Sequence, residues 1–96
     1  MLADKKIMQT QEITIVNKLG LHARASAKLT KLAGSFQCDV WMSKGQRRVN
    51  AKSIMGVMML AAACGARLEL CASGPEAEPA LEQLDDLVRR RFDEDE

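Results

Sequence analysis

The hydrophobic pattern predicts an α+β fold: a β-α-β-β-α-β-α open-faced sandwich, with a four-stranded antiparallel sheet and three helices on one face. Segments of strand period interleave with segments of helix period along the whole chain. Two of the strand segments are separated only by Lys44 and Gly45, a hairpin signature. No repeat, linker or low-complexity block interrupts the 96 residues, so a single domain with a core over about residues 10–92 is expected. A short N-terminal extension and an acidic C-terminal tail flank it.

The first strand is read in "QEITIV", where Ile13 and Ile15 share one face and Glu12 and Thr14 the other. Asn17 to Gly20 is turn-like. From Ala23 to about Gly34, Ala25, Leu29, Leu32 and Ala33 recur at helical spacing with Lys28 and Lys31 outside, and Gly34 is the expected stop. "FQCDVWMS" alternates again, with Phe36, Cys38, Val40 and Met42 on one side, and "QRRVN" returns after the turn. Ser53 opens a second helix with the stripe Ile54, Val57, Met58 and Ala61, ending before Gly65. "ARLELCAS" directs Leu68, Leu70 and Ala72 inward. The last helix carries Ala77, Leu81, Leu84 and Val88, and the tail "DEDE" is expected to be frayed and solvated.

Composition removes several function classes. Net charge is +1, from 14 basic and 13 acidic residues, and the aromatics are only Trp41, Phe36 and Phe92. A nucleic-acid binder normally shows a basic excess with stacking groups. Cys38, Cys64 and Cys71 lack Cys-x-x-Cys spacing, and with one histidine they make neither a zinc site nor a disulfide framework. No metal and no cofactor is expected. "MLADKKIMQT" lacks a signal peptide's apolar centre, and "IMGVMMLAAAC" is too short to span a bilayer, so a cytoplasmic protein without membrane insertion is expected.

The lone histidine, His22, lies where a turn meets a helix, about where an N-cap belongs. The first N–H groups of a helix lack intrahelical partners and the dipole is positive there, which suits an anion such as phosphate. A neutral imidazole has a free lone pair and can act as a nucleophile. Arg24 could donate charge-assisted bonds to the same oxygens. On spacing alone, a lone histidine near a helix start is more often a solvated surface residue. No second histidine, carboxylate pair or Gly-rich nucleotide loop accompanies it, so any chemistry at His22 needs other proteins to bring donor and acceptor.

"GLHARASA", followed about thirty residues later by "AKSIMGVMML", resembles the HPr family, the histidine-containing phosphocarriers of the bacterial sugar phosphotransferase system. The element order agrees over nearly the whole chain. The resemblance implies a carrier, not a stand-alone enzyme, phosphorylated on His22 through Nδ1. Enzyme I would be the donor, Enzyme II A components the acceptors, and Arg24 the partner arginine. The backbone of Ala23 and Arg24 would help bind the phosphate. The family usually has proline after that arginine, where this chain has Ala25.

Ser53 is by position a helix N-cap. By resemblance it is also the serine phosphorylated by HPr kinase/phosphorylase in many relatives. Met55, Met58 and Met59 read as core by composition, although three in one turn cannot all face inward. The resemblance instead makes Ile54, Met55 and Met58 an exposed docking patch, with Arg24, Lys28, Lys31 and Lys52 as a basic rim. A monomer is expected. A nitrogen-branch paralogue, or a small binding module with an inert histidine, stands as the alternative.

Overall fold

The computed structural model describes residues 8–96; most of the N-terminal extension, and with it most of the signal-peptide reading, lies outside them. The elements are β1 (Gln9–Thr14), α1 (Ala23–Gly34), β2 (Asp39–Lys44), β3 (Arg47–Asn50), α2 (Ile54–Met59), β4 (Arg67–Ser73) and α3 (Ala77–Arg89). The strands form one sheet in the order β1-β4-β2-β3, and every neighbouring pair is antiparallel. The expected α+β sandwich is what forms.

Period-2 alternation sets the inner face. Ile13 stands opposite Leu68, Met42 opposite Leu70, and Val40 opposite Ala72, and all six are buried. In an antiparallel sheet, residues directly opposite point to the same side. The helices cover that side with Ala25, Leu29 and Ala33 of α1, Val57 of α2, and Ala80, Leu81, Leu84, Leu87 and Val88 of α3. Gly45 holds φ +61 in the β2–β3 turn, as a tight hairpin requires.

Several boundaries differ from the sequence reading. β1 begins and ends earlier than "QEITIV", yet Ile15 stays buried because its N–H still reaches the Ala66 carbonyl at 2.9 Å. Phe36 and Cys38 precede β2, in a turn closed by the bond from Cys38 N–H to the Phe36 carbonyl. Gly34 is the last residue of α1 rather than its stop; Ser35 caps the helix, its N–H and hydroxyl both donating to the Leu32 carbonyl.

α2 departs furthest. Of the predicted stripe only Val57 is buried, while Ile54 and Met58 are exposed and Ala61 lies beyond the helix at φ 49. Six residues make too short a helix to present a full apolar face. Leu60 and Ala62, just past its end, enter the core instead.

The tail also overturns the expectation of fraying. Arg91, Phe92 and Asp93 all take positive φ (60, 55 and 63°), forming a left-handed turn that drives Phe92 into the core. Left-handed backbone costs roughly 1–2 kcal/mol per residue, more in total than the roughly 1.5–3 kcal/mol returned by burying Phe92. Polar contacts add to that burial. Lys28 Nζ donates to the Phe92 carbonyl at 2.7 Å, and Arg90 Nε donates to Asp93 at 3.1 Å.

One close approach aligns these parts. Gly20 sits at φ +66, where a Cβ would meet the Ala62 carbonyl oxygen at 2.5 Å. Leu21 N–H then donates to that same carbonyl at 2.9 Å. Gly20→Ala should therefore lower stability by about 2 kcal/mol or more, read as a reduced urea midpoint at unchanged slope. An unaltered midpoint would contradict the contact.

Candidate functional site

His22 is the N-cap residue of α1, with extended backbone (φ −75, ψ 179) and no hydrogen bond from its own side chain to the helix. The first intrahelical bond runs from Ser26 N–H to the His22 carbonyl at 2.8 Å. The N–H groups of Ala23, Arg24 and Ala25 are thus the ones an α-helix leaves open. No acidic residue occupies the first turn, so the positive end of the dipole is uncompensated from within the helix. Ser26, fully buried, fixes this entry by donating its hydroxyl to the Leu21 carbonyl at 3.1 Å.

The ring itself is held from the far end of the chain. His22 Nε2 lies 2.6 Å from Glu94 Oε2, with the two side chains only 29% and 19% exposed. Glu94 Oε1 accepts at 3.0 Å from Asn17 Nδ2, and the same amide donates to the Gly20 carbonyl at 2.9 Å. Both acceptors leave no choice of amide orientation for Asn17. Burial works against ionisation of Glu94, but the hydrogen bonds from His22 and Asn17, with the electrostatic pull of the His22 ring and of Lys28, outweigh it and hold its carboxyl below the ordinary value. Nδ1 of His22 has no hydrogen-bond partner among the described residues.

Arg24 is exposed in the first turn of α1, and no described residue engages its guanidinium. A surface depression beside the ring is lined by Lys18, Leu19 and Arg24 on one side and by Asp95 and Glu96 of the tail on the other. The basic rim expected from sequence is only partly available. Lys28 is committed to the Phe92 carbonyl and Asp93, and Lys52 Nζ donates to the Phe36 carbonyl at 3.2 Å, while Lys31 is exposed.

Ser53 is the N-cap of α2, and its Oγ accepts from Gly56 N–H at 3.1 Å. Such a cap is worth about 1 kcal/mol. Ile54, Met55, Met58 and Met59 are exposed by 45, 72, 39 and 61%, which corrects the reading of the methionines as core. α1 and α2 pack against each other, so the exposed apolar face of α2 belongs to the same layer as the histidine. Among the described residues no cluster of His, Cys, Asp or Glu could hold a metal ion, and no helix is long and apolar enough to cross a membrane.

Sequence reasoning missed Asn17, Phe92 and Glu94. A signal for Phe92 existed: it falls four residues after Val88 and continues the apolar stripe of α3. Nothing in the local sequence links Glu94 to a histidine 72 residues away.

The family model described as "PTS HPr component phosphorylation site" matches residues 9–90. The phosphocarrier protein HPr of Cupriavidus necator is 55% identical over 89 residues, covering 93% of this chain and all of that protein. Among solved structures, HPr-C-His from Thermoanaerobacter tengcongensis superposes with a TM-score of 0.88 at 40% identity, covering 92% of this chain and 99% of that one. The phosphocarrier protein HPr from Bacillus anthracis gives 0.82 at 38% identity, over 84% and 96%.

The lowered carboxyl of Glu94 sets a pH dependence. A group whose folded value is depressed stabilises the fold fully above its unfolded value, about 4.3, and loses that contribution as pH falls through the folded value. In an acid titration followed by NMR, the Asn17 side-chain amide should keep its docked shift below about pH 4.3 and lose it on further acidification. Undocking already above that pH would contradict the contact.

Proposed function

The chain belongs to the HPr family of phosphocarriers, and from that premise we propose that it takes a phosphoryl group from phospho-Enzyme I onto His22 Nδ1 and passes it to Enzyme II A components. The observation that carries this reading is the asymmetry of the ring: Nε2 is engaged by Glu94, while Nδ1 is the nitrogen without a described partner, at an uncapped helix N-terminus. A phosphoryl group on Nδ1 would meet the open N–H groups of Ala23 and Arg24 and the positive end of the dipole. The Arg24 guanidinium, unengaged and exposed two residues on, supplies a charge-assisted bond to the same oxygens.

The exposed Ile54, Met55 and Met58 form the apolar docking patch for these partners, and methionine adapts to several surfaces. The protein works as a monomer that meets each partner in turn. Ser53 is a regulatory site for HPr kinase/phosphorylase. It is partly exposed, and a phosphate there adds a charge of about −1.5 to −2 at the start of α2. That charge sits beside the docking patch and opposes acidic partner surfaces.

Incubation with Enzyme I and phosphoenolpyruvate should add one acid-labile phosphate by intact mass, and His22→Ala should add none. No gain under conditions that charge another HPr would overturn the proposal. Ala25→Pro provides a second measurement. The Ala25 N–H makes no backbone bond, so proline removes a donor that the helix does not use but that the phosphate could. The half-life of phospho-His22 should therefore change in Ala25→Pro; identical half-lives would show that this donor plays no part.

A further inference from the structure

We infer that Glu94 is a positioning residue for phosphoryl transfer: its carboxylate, returned to the active turn by the left-handed Arg91–Asp93 segment and locked by Asn17, holds the ring proton on His22 Nε2 and leaves Nδ1 as the nucleophile. The inference rests on the carrier reading above and adds to it a residue from the opposite end of the chain. An ionised carboxylate has only acceptors, so across 2.6 Å the hydrogen must belong to Nε2. A neutral imidazole carries one N–H, and Nδ1 therefore keeps its lone pair.

Glu94 is not a loose tail residue that happens to reach the ring. Asn17, fully buried, spends its two amide hydrogens on Glu94 Oε1 and the Gly20 carbonyl, fixing the carboxylate to the same turn that presents His22. Three consecutive positive φ angles persist only where the surroundings over-determine them, and here they bring the chain back to the site. Phe92, the largest fully buried side chain among the described residues, anchors that return.

The consequence follows the reaction step by step. The Nδ1 lone pair forms the N–P bond as the bond from phosphorus to the donor breaks, and the breaking bond's electron pair leaves with the donor. The ring, still protonated at Nε2, becomes cationic, and Glu94 faces that new charge directly. On transfer to the acceptor, the N–P electron pair returns to Nδ1 and the proton never leaves Nε2. A ring that lost this proton would be a poorer leaving group. The other charged groups around the ring are Lys18, Arg24 and Lys28 from the turn and α1, and Asp95 and Glu96 from the tail, so both signs surround the pair.

The test combines the ring's 15N NMR spectrum with single-turnover transfer from phospho-Enzyme I and onward to an Enzyme II A component. Wild-type His22 should appear with Nε2 protonated and Nδ1 as the unprotonated nitrogen. Glu94→Gln, which keeps an acceptor but loses the charge, should retain that tautomer and transfer about tenfold more slowly. Glu94→Ala should show mixed tautomers and a larger loss. Glu82→Gln, which removes the same charge on the exposed face of α3 and away from the ring, should match wild type in both readouts. Wild-type protein protonated on Nδ1, or Glu94 variants transferring at the wild-type rate, would overturn the inference. Failure of wild-type protein to accept any phosphate would instead overturn the carrier reading, and the NMR result separates the two.

Discussion

The close packing of Gly20 against the Ala62 carbonyl is the constraint on which the site depends. It brings two pieces of backbone together with no side chain between them. Leu21 can then donate to that same carbonyl, so the turn from Asn17 to His22 is braced by the segment following α2. That brace adds to the hold Ser26 gives the same turn by donating its hydroxyl to the Leu21 carbonyl. With it, His22 and the exposed apolar face of α2 belong to one packed layer.

A second brace comes from the C-terminus. Asn17 ties the same turn to Glu94, and Glu94 meets the His22 ring. The tail is held in unfavourable backbone conformation by the burial of Phe92 and by the hydrogen bonds of Lys28 and Arg90. No one of these contacts offsets the backbone cost alone. The histidine is therefore placed by residues from both ends of the chain.

Exposure is distributed unevenly, and the pattern has a physical reason. α2 has six residues and one buried side chain, whereas α3 has thirteen and six. A short helix between a strand and a loop cannot cover its own apolar residues. The methionines that result are large, flexible and accessible, properties suited to weak contacts with more than one partner. Two of the three thiols show the opposite case: Cys38 and Cys71 are buried while Cys64 is exposed, and burial pushes the Cys38 thiol up from its ordinary value.

The sequence by itself determined the element order, the inward faces of the strands, the N-cap positions of His22 and Ser53, and the family. These depend on local periodicity and on motifs a few residues long. The reading of α2 failed because helical spacing does not reveal which face the rest of the chain can cover. The expectation of a frayed tail failed, although Asp93, Asp95 and Glu96 are solvated as expected, because the path of "DEDE" depends on Phe92 finding a core built from distant elements. Only the tertiary structure could decide that β1 lies beside β4, that Gly20 abuts Ala62, and that Glu94 reaches His22. Each of these is a contact between segments far apart in sequence. Such contacts are selected by the packing of the whole core rather than by the propensity of any stretch.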